Sequence, residues 1–149
     1  MTAATVAWAC VEVSLDQAEA FEAFTAEIGD WYVINRFTVP DHTTVTTVRI
    51  EPHVGGRLMY VDDPDTGDGV VAGRITRWDP PLGLTFVDAS GLDVAVIFEP
   101  TATGCRVTVD VRGFDKLPPD AARRARRHSW HRHLLEWFHE HTTRRNATS

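Results

Sequence analysis

The sequence predicts an α+β fold. A curved antiparallel sheet of about six or seven strands wraps around a long C-terminal helix, with one or two short helices after the first strand. Three observations carry this prediction. Residues 44–112 form a series of short, alternating apolar runs punctuated by Gly, Pro and Asp turns. Residues 120–141 contain neither Gly nor Pro and repeat apolar side chains at helical spacing. A single amphipathic helical stripe lies between the first apolar run and the rest of the series.

Residues 5–13 (Thr-Val-Ala-Trp-Ala-Cys-Val-Glu-Val) are rich in β-branched and aromatic residues and read as the first strand. Ser14 and Gln17 have the spacing of a capping box, which predicts a helix start. Leu15, Ala18, Phe21, Phe24 and Ile28 then form one apolar face, and Gly29-Asp30 is expected to stop or bend the helix. Residues 44–51 read as a strand, Gly55-Gly56 as a tight turn, and residues 57–61 as the returning strand. Residues 62–69 read as an acidic loop, 70–78 and 84–87 as strands. Val94, Val96 and Phe98 alternate with Asp93, Ala95 and Ile97, while Val107, Val109 and Val111 alternate with Arg106, Thr108 and Asp110. Trp130, Leu134, Trp137 and His141 mark the apolar stripe of the terminal helix, and residues 142–149 read as a frayed tail.

Composition limits the function. The chain has 149 residues, 43% hydrophobic and 24% charged, which suits one domain with an ordinary core spanning residues 1–149. No run approaches the ~18 apolar residues of a membrane span, so no membrane association is expected. Residues 1–5 carry no basic n-region, and a cytoplasmic location is expected. The net charge of −6 argues against nucleic acid as a partner. The charge is uneven: residues 1–111 hold 17 of the 21 acidic and 6 of the 15 basic side chains. A basic C-terminal segment lying on an acidic body is the expected arrangement.

Several segments together resemble a known family. They are Val11-Glu-Val-Ser14, Ala18-Glu-Ala-Phe-Glu-Ala-Phe-Thr25 and Ile28-Gly-Asp-Trp-Tyr32. The central run is Glu51-Pro-His-Val-Gly-Gly-Arg57, followed by Gly73-x-Ile-x-x-Trp78-Asp-Pro-Pro and Leu84-x-Phe86. Phe98-Glu-Pro-Thr-x-Thr-Gly104, Arg112-Gly-Phe114 and the late Trp130 complete the series. The chain resembles the family of homologues of the activator of heat-shock protein 90 ATPase, C-terminal-domain type, within the START/pollen-allergen (SRPBCC) superfamily. That resemblance implies a helix-grip fold. It also implies a role among apolar-ligand carriers, polyketide cyclase-like enzymes or chaperone regulators. Val111 stands where related bacterial sequences often carry His, so a ligand-orienting His is not expected there.

A straight helix and a curved sheet do not match everywhere, and a pocket is expected where they part. Trp31, Tyr32, Phe98, Trp130 and Leu134 are the expected lining. Arg49, Glu51, Tyr60 and Arg74 are the candidate polar groups, able to orient a ligand or to pair across strands. His128, His131, His133, His139 and His141 lack the His-Glu-x-x-His spacing of a zinc site, and Arg123, Arg124, Arg126 and Arg127 read as a solvated run. No metal and no cofactor are expected. Alternation places Cys105 inward and Cys10 outward, which predicts free thiols without a nucleophilic role.

The expected function is a non-catalytic module that binds a small apolar or amphipathic ligand between sheet and helix. One alternative is a cyclase-like or hydrolase-like enzyme using Tyr60 or Glu51 in the same space. The other is a chaperone-related or regulatory interaction module. Trp8, on the outward phase of strand 1, suits such a surface or a homodimer contact.

Overall fold

A computed structural model of the chain describes residues 6–32, 46–88, 91–120 and 130–148. The element order is β1 (Val6–Val13), α1 (Gln17–Thr25), α2 (Ile28–Trp31), β2 (Thr47–Ile50), β3 (Arg57–Asp63), β4 (Asp68–Asp79), β5 (Gly83–Asp88), β6 (Asp93–Pro100), β7 (Cys105–Arg112) and a C-terminal helix α3 (Trp130–Thr148). The seven strands form one antiparallel sheet in the order β1-β7-β6-β5-β4-β3-β2. The first and last strands are therefore neighbours, and α1, α2 and α3 lie against the concave face. This is the expected helix-grip α+β arrangement.

Alternation sorts the sheet into two faces. Val107, Val109 and Val111 pair with Val11, Ala9 and Ala7 on one side and with Phe98, Val96 and Val94 on the other. Val94, Val96, Phe98, Val107, Val109 and Val111 are buried against the helices. Residues of the opposite parity, including Trp8, Cys10, Arg106 and Ile97, are exposed on the convex face. Cys10 is exposed and Cys105 buried, and both are free, as their parity predicts.

The local signals of α1 are read differently by the chain. The N-cap is Asp16, not Ser14: Glu19 N donates to Asp16 Oδ1 at 2.8 Å. Gln17, freed from a capping box, donates through Nε2 to the Phe98 carbonyl at 2.8 Å and pins the helix to β6. The helix breaks after Thr25, before Gly29-Asp30, and those two residues sit inside α2. The Gly55-Gly56 turn is wider than a two-residue hairpin, since it spans residues 51–56 and Gly55 takes φ +84°.

The end of α3 is also corrected. The helix continues through Thr148, past the expected tail boundary at residue 142. Burial explains this: Thr142 is fully enclosed, and Arg145 Nη2 reaches Glu27 Oε2 at 3.5 Å. The first half of the expected terminal helix, with Arg123, Arg124, Arg126, Arg127 and His128, lies outside the described residues, as do the side chains of Trp130 and His131.

Candidate functional site

Five rings fill the space between sheet and helices. Phe24 lies 5.0 Å from Trp31, 5.2 Å from Phe138 and 5.7 Å from Phe98, and Phe21 lies 5.2 Å from Phe98. These are edge-on and tilted contacts, the favourable aromatic geometries. Trp31 is fixed further, because its indole N–H donates to the Ala23 carbonyl at 3.1 Å. Trp31, Phe98 and Leu134, expected as lining, are thus buried in this core. The two aromatics of α1 fill the room that a helix lying directly on a sheet would leave.

Tyr32 and Tyr60 mark where the filled core gives way to a polar edge. Tyr32 follows α2, where the chain turns extended after its last helical residue. Tyr60 lies on β3 opposite Val48, and its parity is that of Leu58 and Ile50, so it points to the helix side. The two hydroxyls are 3.3 Å apart. The Trp137 ring of α3 meets Tyr32 edge-on at 5.9 Å, and Trp31 lies 6.2 Å from Tyr32. Tyr32, Tyr60 and Trp137 are all half-buried. Three elements distant in sequence therefore meet around two phenols.

Both phenols hold their protons strongly. Burial raises the Tyr32 hydroxyl well above the ordinary tyrosine value, with the Tyr60 phenol and the Asp88 carboxylate adding to the rise. Burial also raises Tyr60, partly offset by its hydrogen bond with Tyr32. Asp88 ends β5 on the phase of Leu84 and Phe86, facing the concave side, and pairs across strands with Gly73. Its Oδ1 accepts from Leu92 N at 3.0 Å.

The other polar candidates lie elsewhere. Arg49 alternates with buried Val48 and Ile50, and Arg74 precedes buried Ile75 in β4, so both are exposed on the convex face. Glu51 clamps the β2–β3 turn: its Oε1 accepts from Arg57 N at 2.7 Å and Arg57 Nε at 2.8 Å, and its Oε2 accepts from Arg57 Nη2 at 2.9 Å. This bidentate pair holds the Glu51 carboxyl down to about 2. The Glu51-to-Arg57 motif is thus turn chemistry. Among the described residues Tyr60 is brought to Tyr32, and Arg49, Glu51 and Arg74 are not. Trp137 is the site residue that sequence reasoning missed, although its place on the apolar stripe of α3 was a usable signal.

An open groove of about 480 Å³ runs between β1 and α3. Ala9, Val11 and Leu135 floor it, and Glu136, His139 and Glu140 line its rim. Among the described residues no group of three His, Cys, Asp or Glu side chains is placed to hold a metal ion. None of the described helices is long and apolar enough to cross a membrane.

The curled antiparallel sheet packed over a C-terminal helix defines a helix-grip α+β domain. The model of the family "Activator of Hsp90 ATPase homolog 1-like protein" matches residues 14–141, and the chain belongs to that family. Among solved structures it is similar to a protein of Nitrosomonas europaea, at 14% identity and TM-score 0.71, covering 99% of both chains. It is similar to an AHSA1-like protein of Aeromonas hydrophila, at 18% identity and TM-score 0.63, covering 95% of this chain and 94% of that one. It is also similar to CalC, a self-sacrificing resistance protein of Micromonospora echinospora, at 21% identity and TM-score 0.66, covering 95% and 96%. At these identities the likeness concerns the fold. No match was found among curated proteins.

Proposed function

We propose that this chain binds a small apolar or amphipathic molecule at the edge of the helix-grip core, against Tyr32, Tyr60 and Trp137. The observation that carries this is the pair of half-buried phenols 3.3 Å apart, with the Trp137 ring edge-on to Tyr32 at 5.9 Å. A core built only for stability closes on apolar groups, whereas two hydroxyls and three rings at a half-open edge supply both apolar area and orienting polarity. Burial of ligand area, at about 25 cal/mol per Å² before ordering costs, would drive association. The family and its fold support a binding role.

The test is a tryptophan-fluorescence titration with a neutral naphthalene ketone. Saturable quenching that Trp137→Phe weakens, with the circular dichroism spectrum unchanged, is the expected result. The absence of saturable binding across neutral, anionic and cationic aromatic probes would overturn the reading.

Trp8 favours a second reading. It is 63% exposed on the convex face, and Ile97, 40% exposed, lies two strands away across Cys10 and Thr108. Large apolar groups so placed suit contact with a second copy or another protein. Light scattering at rising concentration tests the homodimer form: Trp8→Ser would shift a dimer toward monomer, and a monomer at all concentrations would remove it.

A further inference from the structure

We propose that the outer edge of β1 takes up an extended basic peptide as an added strand, laid between β1 and α3. This site is separate from the Tyr32–Tyr60 edge. The hydrogen-bond phase of the sheet shows which backbone groups are on offer. Thr101 N donates to the Gly104 carbonyl at 2.9 Å and closes the β6–β7 hairpin as a bonded pair. Bonded and non-bonded pairs alternate along an antiparallel ladder, so Glu99 and Arg106 form the next bonded pair. Phe98 N donates the other way, to the Leu82 carbonyl just ahead of β5, which fixes the same phase. Even-numbered residues of β7 therefore turn their backbone groups to β6, and odd-numbered ones turn theirs to β1. Cys105, Val107 and Val109 pair with Val13, Val11 and Ala9. The N–H and C=O groups of Trp8, Cys10 and Glu12 consequently point away from β7. Among the described residues no strand pairs with that edge.

Sheet edges are ordinarily blunted by short length, Pro or charges. The opposite edge, β2, has only four residues. β1 has eight, without Pro or Gly, and Glu12 is its one charged residue. A furrow lies on each side of this strand. The groove of about 480 Å³ lies toward α3, and one of about 530 Å³ on the convex face is bordered by Trp8, Glu99 and Arg106. Cys10 and Val11 line both, so the two furrows meet at β1. Burial agrees with this. Ala9 and Val11 are half-buried, whereas Val107 and Val109, on the same face one strand inward, are fully enclosed. A further strand would cover what β1 leaves open.

Charge selects the occupant. Toward α3 the floor is Ala9, Val11 and Leu135, and the rim carries Glu136 and Glu140. His133, 3.4 Å from Glu136, and Arg144, 4.0 Å from Glu140, form exposed pairs of the kind that hold little energy. Side chains of an added strand alternate, and every second one points into this groove. An Arg or Lys there lays its apolar stem on the floor and carries its charge to the rim. A second copy of the chain fits worse. Two β1 strands paired about a two-fold axis put both α3 helices on one side of the joined sheet, so the two acidic rims face each other across the seam.

The test uses the whole chain and a fluorescein-labelled heptapeptide, Thr-Arg-Val-Arg-Val-Arg-Thr, followed by fluorescence anisotropy at low salt. Saturable binding is expected, about tenfold tighter than that of the same peptide with Glu in place of Arg. N-methylation separates strand pairing from charge attraction, because only alternate peptide N–H groups face β1. Methylating the valines or methylating the arginines, one set and not the other, is expected to weaken binding about tenfold. Glu136→Gln combined with Glu140→Gln is expected to weaken it about fivefold. Cys10→Pro, which removes an N–H that faces away from β7, is expected to abolish it, and the methylated peptides decide the same point on the unmodified chain. Failure of the basic peptide to bind, equal binding of the acidic one, or indifference to both methylation patterns overturns the proposal and leaves the Tyr32–Tyr60 site standing. A peptide-free dimer in light scattering that Cys10→Pro disperses gives the edge to a second copy and also overturns it.

Discussion

His141 Nε2 lies 2.9 Å from Glu27 Oε1, and this one contact ties the C-terminal helix to the corner between α1 and α2. Arg145 Nη2 approaches the other oxygen of the same carboxylate at 3.5 Å. Both basic groups come from α3, one turn apart, so Glu27 holds the helix at two points. The Glu27 and His141 side chains are 25% and 15% exposed, which places their bond between surface and interior. Glu27→Ala is expected to destabilise the protein by about 1–2 kcal/mol, because it removes the partly buried acceptor that faces His141 and the carboxylate that Arg145 approaches. Urea unfolding of the variant and of His141→Ala measures it. A Glu27→Ala midpoint equal to that of the unmodified protein would show that the contact contributes nothing to holding α3.

Phe24 is the hub of the aromatic core, in contact with Trp31, Phe98 and Phe138 from three separate elements. Truncation there leaves a cavity that three rings cannot collapse to fill. Phe24→Ala is expected to cost about 3–5 kcal/mol, and Phe24→Leu about 1.5 kcal/mol or less. Denaturant midpoints at constant slope check both values. A loss for Phe24→Ala below that for Phe24→Leu would contradict the hub assignment.

How much of this was legible in the sequence follows from what each signal measures. Strand parity is a two-residue code, and Val107, Val109 and Val111 state it without ambiguity, so the inward and outward positions of β7 and of both cysteines were readable. The same code places Arg49 opposite Val48 and Ile50. Parity orders the residues of a strand but does not say how many rings the helices bring into the space above it. Phe21 and Phe24 were readable as one helix face, yet their filling of the centre depends on the angle at which α1 lies, and that depends on Gln17 reaching Phe98 across 81 residues. Tyr32 and Tyr60 are 28 residues apart and come together only when α2 docks on β2, the neighbour of β3. The β4 strand adds a further obstacle, because register shifts against both of its neighbours interrupt simple alternation.

The start of α1 shows two competing caps. Ser14-x-x-Gln17 and Asp16-x-x-Glu19 both have capping spacing, and the chain uses the second. An ionised carboxylate accepts a backbone N–H more strongly than a hydroxyl does and also faces the positive end of the helix. The hydrogen bonds with Glu19 lower the Asp16 carboxyl below its ordinary value. Asp16→Ala is expected to lower the melting temperature, and Ser14→Ala to leave it unchanged. The reverse order in a pair of thermal melts would restore Ser14 as the cap.

The Glu51–Arg57 clamp carries an acid limb of stability. The Glu51 carboxyl is held at about 2 when folded, against an ordinary value of 4.5. A depressed carboxyl stabilises the fold above its unfolded value and loses that contribution as the pH falls through the folded one. The contribution is therefore complete above about pH 4.5 and disappears toward pH 2. Glu51→Gln is expected to lower the melting temperature modestly at pH 7, where the contribution is complete, and to flatten its dependence on pH between 4.5 and 2, so that the two proteins converge at the acid end. An unaltered slope between pH 4.5 and 2 would mean that the pair is not formed in solution.

Tyr32 and Tyr60 are also the chain's only two tyrosines, which makes their ionisation directly readable by absorbance. Both hydroxyls are raised above the ordinary value of 10, first by burial. The folded protein is therefore expected to show little tyrosinate absorbance at pH 10, where an exposed tyrosine is half ionised, and unfolding in urea should restore the ordinary curve. Linkage fixes the sign of the accompanying stability change. A phenol that ionises later when folded retains protons that the unfolded chain has lost, so stability falls as the pH rises beyond 10. Tyr32→Phe removes half of the signal and, by taking away the hydrogen bond that lowers Tyr60, should move the remaining phenol upward. Ordinary titration of either tyrosine in the folded protein would place the pair in open solvent and remove the buried donor on which the binding site depends.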